Sequence, residues 1–163
     1  MLLETGPFPF PLIFLASSTD PFRSVDSVRV PKLMSVEEYE TVYQLVSVIE
    51  GKVGSTGRCI DSLARSLPPG SMTGAPKKRS CELLCDVEGE RARGLYSGVL
   101  GYFDVGGGAD FSVVIRTAFK WGDEDVWRVG AGGAVTALSQ PQAEFEEMLA
   151  KRERVLGVLL SST

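Results

Sequence analysis

Glu144, Glu147 and Lys151 stand at i, i+3 and i+7 near the C-terminal end of the chain, so a helix there aligns them along one stripe, apart from its apolar face. Two carboxylates one turn apart suit a hard divalent cation such as Mg²⁺, and the ammonium beside them suits an anionic ligand. The same residues have a plainer use, because Glu147 and Lys151 make a favourable i,i+4 ion pair on a solvated face. Arg116 is the second candidate. It interrupts Phe111-Ser112-Val113-Val114-Ile115 at an alternation position suited to the interior, where a guanidinium needs a carboxylate from a ligand or from an internal salt bridge. Gly130-Ala131-Gly132-Gly133 opens no helix and follows a strand-like run, which argues against a dinucleotide loop. Glycine there lets a ligand or another segment approach the backbone.

The bulk numbers narrow the chemistry. With no histidine in the chain, Ser-His-Asp and Cys-His mechanisms and His-ligated metals are excluded, so a metal must be held by oxygen. A net charge of −4, and no basic run longer than Lys77-Lys78-Arg79, provide no field for a phosphate backbone or an acidic membrane. Nucleic acid and membrane are therefore not expected partners. The three cysteines include Cys81 and Cys85 one helical turn apart, which suits half-buried apolar filling in a reducing, cytoplasmic setting rather than a redox pair. Phe8-Pro9-Phe10-Pro11-Leu12-Ile13-Phe14-Leu15 looks like a secretory core, but Glu4 replaces a basic leader, prolines interrupt helix and the run is too short to span a bilayer.

At 44% hydrophobic and 23% charged, 163 residues make one globular domain by default. Residues 1–27 show no periodicity and are expected to be irregular. Ser35 and Glu38 give a capping-box signature, and Val36, Tyr39, Val42, Tyr43, Val46 and Ile49 recur at helical spacing, which predicts an amphipathic helix ending at Gly51. A second helix is expected around 58–66, stopped by Pro68-Pro69-Gly70. Ser71 to Lys77 form a tight loop feeding a third helix from Pro76 to about Val87. Three β-rich runs, 94–105, 110–121 and 126–135, have short connections that predict an antiparallel meander. A closing helix from Pro141 to about Leu160 carries Phe145, Met148, Leu149, Val155, Leu156 and Leu159 to cover a sheet face. The fold class is α+β, and a sheet this small needs another partner over its second face.

Five segments taken together resemble the C-terminal signature of chorismate-utilising enzymes. They are Pro69 to Lys77 (PGSMTGAPK), Tyr96 to Tyr102 (YSGVLGY), Ser112 to Arg116 (SVVIR), Gly130-Ala131-Gly132-Gly133, and Glu144-x-x-Glu147-x-x-x-Lys151. That family includes anthranilate, aminodeoxychorismate, isochorismate and salicylate synthases, and Gly98 to Gly108 (GVLGYFDVGGG) is most similar to the fungal aminodeoxychorismate branch. The resemblance starts near Val28 and covers about four-fifths of the chain, yet much less than half of a full-length member.

The resemblance implies an antiparallel sheet packed with helices as part of a two-lobed chorismate-binding fold. It places residues 28–163 in the C-terminal portion of that domain. It also implies that Glu144 and Glu147 help to hold Mg²⁺, and that Thr73, Tyr96, Arg116, Gly132 and Lys151 contact chorismate, with Lys151 catalytic. Ammonia would come from a glutamine amidotransferase domain or subunit and yield 4-amino-4-deoxychorismate for para-aminobenzoate and folate. The upstream family motifs are not in this sequence, so the chain by itself is expected to be inactive. A partner-binding remnant without catalysis is the rival expectation. Two departures stand out. Gln44 occupies a position where many members carry His, and Ala134 replaces a common Gly of the ligand loop.

Overall fold

The computed structural model describes residues 27–40, 42–51, 59–106 and 108–161. The irregular segment expected for 1–27 lies outside them except for Ser27, and so do the apolar run at 8–15 and the start of the expected second helix at Arg58. Among the described residues, no helix is long and apolar enough to cross a membrane.

The chain divides into two compact units, Met1–Cys81 with Val99–Val113, and Glu82–Gly98 with Val114–Thr163. In the first, β1 (Arg29–Glu38) and β2 (Tyr43–Glu50) form an antiparallel hairpin, with Val36 opposite Leu45 and Glu38 opposite Tyr43. The helix expected from Ser35 to Gly51 is therefore a pair of strands. The reason lies in side-chain type. Val30, Val36, Val42, Val46, Val48 and Ile49 lose rotamer freedom on a helix but pack well on a pleated surface, and Tyr39 and Tyr43 share that preference. The hairpin closes between Tyr39 and Val42, whose backbones exchange N–H···O bonds of 2.9 and 3.3 Å. Ser35 does not cap a helix; it faces Val46 within the ladder, and the register shifts on both sides of Lys32. Gln44 consequently sits on a strand opposite Glu37.

After this hairpin come α1 (Cys59–Ser66), a single 3-10 turn at Gly70–Met72, and α2 (Lys77–Val87). The carbonyl of Pro76 accepts from Ser80 N at 3.0 Å, so proline stands at the helix entry, where its missing N–H costs nothing. β3 (Val99–Phe103) and β4 (Ala109–Val113) pair antiparallel in continuous register from Val99–Val113 to Phe103–Ala109. Phe103 and Phe111 meet edge to face, with ring centroids 5.0 Å apart.

The second unit holds β5 (Ala118–Phe119), β6 (Arg128–Val129) and α3 (Pro141–Ser161), with β5 and β6 paired and α3 touching β6. The expected three-strand meander is thus two separate hairpins. The break falls at Arg116, whose φ of +51° takes the backbone out of the β region. Thr117 Oγ1 donates to the Ile115 carbonyl at 2.8 Å across the same break.

The apolar interior is small. Val46 and Val114, each 8% exposed, are the buried apolar residues among those described, whereas Leu33 and Tyr43 on the first hairpin are each 71% exposed. On α3, Met148, Leu149, Val155, Leu156 and Leu159 are half-buried, and Phe145 is exposed instead of covering a sheet face.

Candidate active site

The second unit gathers most of the residues singled out by sequence. Its floor is the glycine-rich segment after β6. A side chain at Gly130 would overlap the Tyr96 ring, and a Cβ on Gly132 would lie 2.8 Å from the Tyr96 hydroxyl, so the tyrosine runs along the backbone where Gly130 and Gly132 carry no side chain. This is the close approach that glycine permits. Here the approaching group is a neighbouring side chain of the same unit.

α3 supplies the charged groups. Pro141 opens the helix, and Glu144 N donates to the Gln140 carbonyl at 3.1 Å, which puts Glu144 in the first turn where a negative charge complements the helix dipole. Glu144 Oε1 accepts from Ser139 Oγ at 2.9 Å, while its Oε2 lies 2.7 Å from where a Cβ on Gly133 would stand. One turn on, Glu147 Oε1 is 2.5 Å from Lys151 Nζ. The same ammonium donates to the Gly132 carbonyl at 3.2 Å.

Glu147 is the electrostatic meeting point. Its carboxyl is held below the ordinary value of 4.5, first by the hydrogen bond from Lys151, then by the Lys151 charge, with slight burial opposing and the Arg116 guanidinium adding to the depression. Arg116 therefore acts on the same carboxylate as Lys151. The expectation that Arg116 is buried is corrected: with its backbone outside the ladder it is exposed, and no hydrogen bond or ion pair joins it to another described residue.

Tyr96, Gly132, Glu144, Glu147 and Lys151 are thus brought together, with Arg116 within electrostatic reach. Thr73 belongs to the first unit, where its hydroxyl donates to the Pro69 carbonyl at 3.1 Å just after the 3-10 turn. Among the described residues there is no group of three or more acidic, Cys or His side chains able to hold a metal ion. The donor set on α3 is two carboxylates, each with an Oε2 that takes no part in the bonds above. That set suits Mg²⁺, which takes one or two protein carboxylates and completes its shell with waters and ligand oxygens.

Three further residues shape the site. Ser139 Oγ accepts from Thr136 N at 2.9 Å and donates to Glu144, with the Ala134 carbonyl 3.2 Å away as a second acceptor. Ala134 thus contributes its carbonyl to this cluster. Glu88 and Arg93 form a two-pronged pair at 2.9 and 2.5 Å, and Arg93 Nη1 reaches Ser97 Oγ at 3.3 Å, next to Tyr96. A serine just ahead of a proline-started helix is a capping signal that could have flagged Ser139. Nothing in the spacing of Glu88 and Arg93 marks them.

The family described as chorismate binding enzyme matches residues 16–157, and the chain belongs to that family. Within it, the aminodeoxychorismate synthase of Saccharomyces cerevisiae is 45% identical over 155 residues, covering 86% of this chain and 20% of the yeast protein. A Schizosaccharomyces pombe relative, provisionally given the same name, is 54% identical over 136 residues, covering 83% of this chain and 19% of its own length. The chain therefore spans about one fifth of these curated relatives. Anthranilate synthase component I from Streptococcus pneumoniae superposes with a TM-score of 0.69 at 29% identity, over 82% of this chain and 30% of that one. The α+β arrangement is thus part of the chorismate-binding fold.

Proposed function

We propose that residues 28–163 are the C-terminal portion of the chorismate-binding domain of an aminodeoxychorismate synthase. In the whole protein, chorismate and ammonia give 4-amino-4-deoxychorismate and water, for para-aminobenzoate and folate synthesis. An amidotransferase domain or subunit releases the ammonia from glutamine. One observation carries this reading: Tyr96, Lys151 and two carboxylates converge on the Gly130–Gly133 backbone in a chain 45% identical to a named aminodeoxychorismate synthase.

Chorismate is a dianion whose C4 hydroxyl must leave, so its site needs fixed donors and positive charge. Lys151 and Arg116 offer charge to the carboxylates, and Tyr96 and the Gly132 amide offer donors on the enolpyruvyl side. A nitrogen–carbon bond forms from ammonia, the C4–oxygen bond breaks, and a proton passes from nitrogen to the departing oxygen to give water. Lys151, touching the substrate, steadies the charge during that exchange. Glu144 and Glu147 would hold Mg²⁺, which when bound would supply charge neutralisation beside a substrate carboxylate. The free thiols of Cys59, Cys81 and Cys85 support a reducing, cytoplasmic setting.

The test is reconstitution with the preceding part of the synthase, measuring ammonia- and Mg²⁺-dependent turnover of chorismate. Formation of 4-amino-4-deoxychorismate is expected. Anthranilate, isochorismate or salicylate as product reassigns the branch, and an inactive, well-folded pair counts against the reading. The second reading, a partner-binding module without catalysis, draws on the exposed Leu33, Val36, Tyr43 and Leu45 of the first hairpin. Calorimetry of the chain with chorismate and Mg²⁺ separates the two, since no heat together with a tightly bound protein partner favours the module.

A further inference from the structure

Ser97 is the buried polar residue among those described, 7% exposed, and its φ of +70° lies in the left-handed region that serine rarely occupies. A strained backbone of this kind persists where its surroundings over-determine it. Here they do so from three sides. Gly98 N donates to the Leu95 carbonyl at 3.1 Å, closing a turn with Tyr96 and Ser97 at its centre. Ser97 N donates to the Val114 carbonyl at 3.0 Å, and Val114 N returns a bond to Gly98 at 2.9 Å. The side chain is held by Arg93, whose guanidinium is itself fixed by the two oxygens of Glu88.

We propose that the Glu88–Arg93 fork is a positioning device: by holding the Ser97 hydroxyl it keeps the Leu95–Gly98 turn left-handed and thereby lays the Tyr96 ring on Gly130 with its hydroxyl at Gly132. Arg93 bonds Glu88 and Ser97, and it acts on Tyr96 through Ser97. A planar, two-pronged guanidinium is needed because one cation must engage Glu88 and Ser97 together, which a lysine ammonium matches poorly. The functional consequence rests on the reading that Tyr96 contacts substrate; the positioning itself does not.

The experiment uses the full chain carrying 3-fluorotyrosine, with the signal of Tyr96 among the four tyrosines identified by Tyr96→Phe. In Arg93→Ala the Tyr96 fluorine signal moves to the free-tyrosine position and sharpens, and Arg93→Lys gives most of that shift. Adding Ser97→Gly to Arg93→Ala returns the signal towards its original place, since glycine holds φ above zero without a clamp. A merely structural role for Arg93 does not produce that rescue. In the reconstituted synthase, Arg93→Ala raises KM for chorismate about tenfold more than it lowers kcat, the loss of one hydrogen bond from Tyr96 to a substrate carboxylate. An unmoved Tyr96 signal in a folded Arg93→Ala chain overturns the proposal. If that variant does not fold, Glu88→Gln is read the same way, and an unmoved signal there again overturns it. A wild-type synthase that ignores chorismate while the fluorine shifts hold sinks the functional reading and leaves the positioning intact.

Discussion

The ammonium of Lys151 bonds the carbonyl of Gly132, 19 residues back along the chain, at 3.2 Å while keeping Glu147 at 2.5 Å. One side chain thus ties the charged stripe of α3 to the glycine segment. Three of the sequence-selected positions meet at that atom.

Removing this tie has a signed pH consequence. Glu147 titrates below its ordinary value of 4.5 because Lys151 favours its ionised form. The folded pKa is depressed, so any stability from the pair is present above 4.5 and is lost as pH falls through the folded value. In Lys151→Met the Glu147 midpoint rises, measured by carbon-detected NMR titration. The carboxylate is largely exposed, so thermal stability at neutral pH changes little and the shift shrinks at high salt. A Glu147 midpoint unaffected by Lys151→Met refutes the pairing.

Arg116→Gly separates charge from backbone. A left-handed non-glycine residue costs about 1 kcal/mol, and glycine's greater unfolded freedom costs roughly 0.5–1 kcal/mol, so the two nearly cancel. The melting temperature should hold while the Glu147 midpoint rises by less than in Lys151→Met, because the Arg116 charge is the smaller contribution. A large loss of stability shows that the guanidinium is bonded internally.

Gly130→Ala places a methyl group inside the Tyr96 ring position. Overpacking of this sort costs about 1–3 kcal/mol. Combined with Tyr96→Ala the cost should largely disappear, and calorimetric unfolding of the four proteins in the cycle measures the coupling. Strictly additive effects mean the ring does not lie on Gly130.

Ser139→Ala removes a hydroxyl that joins Thr136 N to Glu144 Oε1. Loss of such a hydrogen-bonded hydroxyl costs about 0.5–1.5 kcal/mol. In the reconstituted synthase the Mg²⁺ concentration for half-maximal turnover should also change, whereas Glu144→Gln should abolish Mg²⁺ dependence with folding retained. Unchanged Mg²⁺ response in Glu144→Gln removes that residue from the metal site.

Legibility in the sequence followed the strength of local signals. Pro76 and Pro141 mark the entries of α2 and α3, and the bounds of both helices emerge close to expectation. The first hairpin carries the signature of a helix because Val36, Tyr39, Val42, Tyr43, Val46 and Ile49 satisfy helical spacing, and no glycine or proline marks the tight turn at Tyr39–Val42. β-branched content was the overriding clue. The grouping of Glu144, Glu147 and Lys151 follows from helical geometry, so it was visible in the sequence. Arg93 and Ser97 were not, since their pairing depends on a turn that only the folded backbone sets.

The left-handed residue at Arg116 also bears on how this family segment tolerates change. Strand pairing repeats every two residues, so an insertion in the Asp104–Gly108 turn would flip the outward and inward sides of Tyr102 and Phe103. Because the ladder stops before Arg116, that slip has no continuous strand along which to reach the Ala118–Val129 pairing, although Ser97 and Gly98 remain bonded to Val114 at its end. Length variation in that hairpin is thereby kept from the strand pairing of Ala118 with Val129.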